Sequence, residues 1–119
     1  MKLSDNKQNT DESKGVLCAS FRDGAPALLL HTLDGKRWVM PWVHFLHAYH
    51  EKSGESEQIG MFYSNHEILI EGVRLQPLVE RLSKYDLEWV KCFSKRYLKL
   101  CPQDLPFIER ITIEEKADE

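Results

Sequence analysis

The chain has 119 residues, enough for one domain with a core that needs no covalent staples. Its 42% hydrophobic and 29% charged residues are ordinary for a globular protein, and a net charge of -3 gives no general pull toward nucleic acid or an anionic membrane. Three cysteines (Cys18, Cys92 and Cys101), odd in number and widely spaced, argue against a disulfide framework or a Cys-x-x-Cys pair and predict buried thiols in a reducing compartment.

Residues 1–14 are polar and predict a flexible tail, because they cannot bury enough apolar surface to offset ordering entropy. No apolar run follows the N-terminus in the manner of a secretory signal, and none is long enough to span a bilayer, so the cytoplasm is the expected compartment. One domain is expected over 15–113, followed by an acidic flexible tail over 114–119.

Residues 16–22 form the first strand candidate, closed by Asp23-Gly24. Segments 27–33 and 36–42 flank Asp34-Gly35, a strong hairpin signal. A two-residue loop there pairs His31 with Trp38, Leu30 with Val39 and Leu29 with Met40. That register puts Leu28, Leu30 and Val39 on one face and Leu29, Met40, His31 and Trp38 on the other. A second hairpin is expected from 58–64 and 67–72, turning at Asn65-His66. Ile59, Met61, Tyr63, Ile68 and Ile70 share its core face, a grouping that survives a two-residue register shift.

The second half reads as helical. Leu75, Leu78, Val79 and Leu82 follow the spacing of a buried stripe, with Pro77 in the first turn. Asp86 is a suitable N-cap for a second helix reaching about residue 100, with Leu87, Val90, Phe93, Tyr97 and Leu98 on its apolar arc and Pro102 as its stop. Residues 107–113 alternate well enough for a last strand. The expected fold is α+β: an antiparallel sheet of five to seven strands, including the two hairpins, packed with two C-terminal helices.

The order of residues from Asp34-Gly35 to Trp42, then Phe62-Tyr63-Ser64 to Glu71-Gly72, then Leu75 and Leu78, resembles small bacterial proteins of unassigned function. The resemblance covers about residues 27–90 and rests on structural positions. It implies a compact antiparallel sheet with a helix against it, implies no activity, and favours a strand for the histidine-rich segment that follows Trp42.

That segment, His44-Phe-Leu-His-Ala-Tyr-His50, carries the strongest hint of chemistry. On a helix, His44, His47 and Glu51 share one face, and two imidazoles with a carboxylate suit zinc or a similar ion. On a strand they scatter: His44 and His50 point one way with Leu46 and Ala48, and His47 the other way with Phe45 and Tyr49. The strand is expected, paired with 58–64. A solvated or hydrogen-bonded sheet histidine is its bland counterpart. His31 opposite Trp38 reads as structural.

The basic arc of the expected second helix, Lys91, Lys95, Arg96 and Lys99 with Trp89 at its border, is the other candidate site, for a partner or for phosphates. Late-helix cations also complement the helix dipole without any ligand. There is no nucleophile elbow, no phosphate loop and no paired carboxylate cleft. The leading expectation is therefore a non-enzymatic protein-interaction or ligand-binding module without a cofactor, with a homodimer or an unidentified protein as partner. A metal-dependent enzyme or metal sensor using His44, His47 and Glu51 is the alternative. Weak nucleic-acid binding through the basic helix stands third, against the acidic net charge.

Overall fold

Sequence alternation dominates the architecture more than the sequence reading allows. The computed structural model describes residues 16–116, so the predicted N-terminal tail lies outside the described residues. The elements are β1 (Ala19–Phe21), β2 (Ala27–His31), β3 (Arg37–Pro41), a 3-10 turn at Trp42–His44, β4 (Phe45–Ser53), β5 (Ser56–Tyr63) and β6 (His66–Val73). Then come α1 (Gln76–Leu82), β7 (Leu87–Lys91), a 3-10 segment at Lys95–Leu100 and β8 (Phe107–Glu115). They form two four-stranded sheets, ordered β1-β7-β2-β3 and β4-β5-β6-β8.

The fold is thus mostly β, with one α-helix among the described residues where two were expected, and two sheets where one was expected. The expected second helix is replaced by β7 and the 3-10 segment. Its apolar residues fit a helical arc, but Val90 and Cys92 also obey a period of two, and both are buried. β7 lies between β1 and β2, antiparallel to one and parallel to the other. A helix there would leave β1 without a ladder partner and β2 paired on one side only, so sheet pairing overrides a helical pattern of modest strength. Glu114 and Glu115, assigned to an acidic tail by the sequence reading, extend β8 opposite Glu67 and His66. Residues 117–119 lie outside the described residues.

The first hairpin differs from expectation by one residue. Leu30 pairs with Trp38, Leu29 with Val39 and His31 with Arg37, because the loop has three residues rather than two. Thr32 N–H donates to the Lys36 carbonyl at 3.1 Å, and Gly35 takes φ +88°, the left-handed position that closes such a loop. A one-residue slip exchanges the faces of a strand. Met40 and Trp38 therefore turn inward with Leu28 and Leu30, while Leu29, Val39 and His31 turn outward. The aromatic neighbour of His31 is Trp89 on β7, with ring centroids 5.9 Å apart, and not Trp38.

The second hairpin keeps its predicted faces with a register shifted by two, Met61 opposite Ile68 and Ile59 opposite Ile70. The core joins Leu28, Leu30 and Val90 of one sheet to Ile59, Ile68, Ile70 and Ile108 of the other, all at most 2% exposed. Burial of each such side chain contributes about 1.5–3 kcal/mol before entropy is counted. α1 follows the predicted stripe and adds Leu78 and Leu82, with Leu75 at its N-cap. Two corners tie the sheets together. At one, Trp42 N–H donates to the Pro26 carbonyl and Ser64 N–H to the His44 carbonyl; at the other, Phe93 N–H donates to the Ile108 carbonyl.

The three cysteines are free and buried. Burial pushes the Cys18 thiol up to about 11, and its sulfur accepts a hydrogen bond from Ile108 N–H at 3.3 Å. No helix among the described residues is long and apolar enough to cross a membrane.

Candidate functional site

Residues 45–53 are a strand, and β4 pairs with β5 from Phe45 opposite Tyr63 to Ser53 opposite Ser56. A bulge at Leu46 changes the alternation, so Phe45, Ala48 and His50 face inward while His47, Tyr49 and Glu51 face outward. The helical face required for a His44, His47 and Glu51 metal site therefore does not form. His44 is exposed in the 3-10 turn, and His47 stacks on Phe62 with centroids 4.6 Å apart. Glu51 accepts a hydrogen bond from the Gln58 side chain at 3.0 Å. Four residues along a strand separate His47 from Glu51 by about 13 Å, too far for shared ligation. Among the described residues no three His, Cys, Asp or Glu side chains are arranged to hold a metal ion.

The expected basic helix face is likewise divided. Trp89 and Lys91 lie on β7, whereas Lys95, Arg96 and Lys99 lie in the 3-10 segment, where the Arg96 guanidinium sits 5.1 Å from the Tyr97 ring centroid.

The structure assembles a different site on the inner side of β4. A pocket of 330 Å³ is bounded by Phe45, Ala48, His50 and Ile59 from the sheet and by Val79, Leu82 and Tyr85 from α1 and the turn after it. Tyr85 is held there by a positive φ of 57°. Two of its lining rings, Phe45 and Tyr85, belong to a cluster of four aromatic side chains. Trp42 stacks on Tyr85 at 5.5 Å with an interplanar angle of 15°, Phe45 meets Trp42 edge-on at 5.3 Å, and Tyr63 lies 5.5 Å from Phe45. Such contacts add about 0.5–1.5 kcal/mol per pair beyond area burial and fix the rings in place. Trp42 Nε1 is buried with no acceptor among the described residues.

No family model matches this chain, nor does any curated protein or solved structure.

The pocket's lining imidazole, His50, is held from behind by Glu57, which lines a neighbouring cavity. Glu57 Oε1 lies 2.9 Å from His50 Nε2 and accepts the Leu75 N–H at 3.0 Å, while its Oε2 accepts the Arg74 N–H at 3.0 Å. Arg74 has φ +57°, so the chain turns sharply into α1 and presents two successive N–H groups to one carboxylate. Burial opposes ionisation of Glu57, but the His50 hydrogen bond and these two backbone donors outweigh it and hold the carboxyl below its ordinary value. The carboxylate in turn orients the imidazole at the rim. Only Nε2 of His50 is engaged among the described residues, which leaves Nδ1 as the ring nitrogen open to a ligand. Ser83, at the same rim, donates its hydroxyl to the Glu80 carbonyl at 2.7 Å and so is not aligned with His50 as a nucleophile.

Sequence reasoning included His50 in the histidine cluster but did not connect it to Glu57, and it missed Glu57, Phe45 and Tyr85 as site residues. One sign was available. On a strand paired through a turn at Gly54, His50 and Glu57 stand near each other across the hairpin, and opposite charge types at such positions attract.

Proposed function

We propose that the protein is a non-enzymatic binding module that takes a small, planar, mainly apolar molecule in the pocket between β4 and α1. The supporting observation is the combination of aromatic lining residues with one imidazole oriented by a partly buried carboxylate. Pockets for small ligands are commonly apolar with a few fixed polar groups that set orientation. Stacking on Tyr85 and Phe45 would supply contact area, and His50 Nδ1 would meet a single polar group of the ligand. The three buried thiols fit a reducing compartment, and we place the module in the cytoplasm on that basis.

The expected result is that indole, benzimidazole and phenol, titrated one at a time, shift the NMR signals of the Ala48 methyl and the Trp42 indole N–H. Val79→Trp, which fills the pocket from the helix side, should weaken binding by at least about 10-fold, a loss of about 1.4 kcal/mol, without lowering the melting temperature. Titrations in which none of the three probes moves those signals, or in which Val79→Trp binds like the parent, would sink the reading.

A second reading, self-association through a sheet edge, has its own observation. β4 is an edge strand, and the segment entering it exposes Val43 by 82% and Leu46 by 59%. Exposed edges bearing apolar side chains favour pairing with another chain, and a twofold pair of β4 strands is the closed form of that contact. Light scattering should show a dimer whose mass falls to that of the monomer in Val43→Lys/Leu46→Lys. A monomeric parent at every concentration reached removes this reading.

A further inference from the structure

The outer face of the β1-β7-β2-β3 sheet carries two rows of side chains fixed by strand register. Leu29 pairs with Val39 on one side and Trp89 on the other, and Trp89 pairs with Ser20, so Ser20, Trp89, Leu29 and Val39 run across all four strands. Two residues further along, His31 pairs with both Arg37 and Lys91, giving a second row of Lys91, His31 and Arg37. The alternate positions Leu28, Leu30 and Val90 are fully buried, which places both rows on the solvent side.

Apolar and aromatic surface thus lies beside a line of cations, about 7 Å away along the strands. Neither Arg37 nor Lys91 forms an ion pair among the described residues. The nearest acid on β7, Glu88, is already engaged by Ser20 and Arg22. Burial first, and then the charges of Lys91 and Arg37, push the His31 pKa below its ordinary value, as expected for an imidazole held between two cations. The His31 ring meets Trp89 edge-on, with an interplanar angle of 77°.

We propose that this face binds single-stranded nucleic acid, with bases stacked on Trp89 and along Leu29 and Val39, and phosphates carried by Lys91 and Arg37. In a chain of net charge -3, a local row of exposed cations without ion pairs among the described residues is a surface that attracts an anionic partner. Lys91, which also lies 5.2 Å from the Phe93 ring centroid, keeps its charge free for one. The adjoining aromatic row selects among anions. An acidic peptide has carboxylates but few flat rings, whereas each nucleotide brings both a phosphate and a π-face and can straddle the two rows. The proposal is independent of the pocket between β4 and α1, which opens on the other sheet. It also differs from a basic helix, since Lys95, Arg96 and Lys99 take no part.

The test is fluorescence anisotropy of labelled oligothymidylate and oligouridylate with the intact chain across a salt series. Binding at low ionic strength should weaken with a log–log slope of about -0.7 per contacted phosphate, so about -1.4 for two contacts. Trp89→Ala should lower affinity about 10-fold, the loss of one stacked base. Trp89 is half-buried, so Arg37→Gln/Lys91→Gln, at exposed positions, provides a variant that folds normally and should flatten the salt slope while quenching of Trp89 fluorescence by bound oligonucleotide persists. No binding at low salt would overturn the proposal. So would binding indifferent to salt or to the Arg37→Gln/Lys91→Gln change, or capture of polyglutamate in preference to either oligonucleotide.

Discussion

Replacing Gly72 with alanine is expected to cost about 3 kcal/mol of folding stability and to lower the melting temperature by more than about 10 °C. Gly72 lies opposite Ile108 where the β6–β8 register shifts, and the two backbones approach so closely that no side chain fits between them. A Cβ there would fall well inside the contact distance of the Phe107 carbonyl oxygen and only 3.0 Å from Ile108 Cα. These atoms belong to the backbone of a buried strand, so relief requires the ladder itself to move. Gly60 provides the matched control. Its Cβ would come 2.6 Å from Cζ of Tyr49, but that ring is 41% exposed on the outer sheet face and can swing away. Gly60→Ala should therefore cost less than about 1 kcal/mol. Urea titrations followed by tryptophan fluorescence would separate the two, through a large midpoint shift for Gly72→Ala and a small one for Gly60→Ala at constant slope. Equal shifts would contradict this account of the β6–β8 contact.

The same glycine helps explain why the candidate site was only partly legible. Glu57 pairs with Gly72, two residues before the turn that brings the Arg74 and Leu75 N–H groups to the carboxylate. Sequence periodicity reports which face a residue occupies, and it does this well when alternation is strict. The core face of β5 and β6, the stripe of α1 and the strand nature of the histidine segment were all readable for that reason. Periodicity does not report loop length. The hairpin at Asp34-Gly35 closes with Leu33 included, and that single residue moves Val39 from the expected face of Leu28 and Leu30 to the face of Leu29 and His31, the surface that Trp89 shares. Nor does it report bulges. The extra residue at Leu46 aligns Phe45 with Ala48 and His50, which creates the pocket wall. The parallel partnership of β2 and β7 joins residues about sixty positions apart, and nothing local in residues 87–91 announces it. Both candidate sites therefore rest on features that set register rather than on motifs.

Glu57→Ala is expected to destabilise the protein by about 3 kcal/mol, because it removes the acceptor of three donors at once and leaves the Arg74 and Leu75 N–H groups partly buried and unpaired. Glu57→Gln keeps one carbonyl oxygen of the same shape, which can serve the Leu75 N–H, but places an amide N–H₂ where a second acceptor is needed; about 1–2 kcal/mol should be lost. Acidification distinguishes the charge from the shape. The Glu57 carboxyl is held below its ordinary value in the fold, so the unfolded chain binds the proton more readily. The stability supplied by the carboxylate is therefore complete above the ordinary carboxylate range and is lost as pH falls from there through the lower folded value. The parent should lose stability across that acidic window while Glu57→Gln stays comparatively level, so that the gap between them closes. His50→Phe should leave the turn into α1 intact, since both backbone donors still reach Glu57, yet it removes the only polar side chain that the carboxylate orients toward the pocket. If fragment binding survived His50→Phe unchanged while Glu57→Ala unfolded the chain, Glu57 would be an anchor of α1 alone and the oriented imidazole would have no part in recognition. Loss of binding in a fully folded His50→Phe protein would join the two roles in one carboxylate.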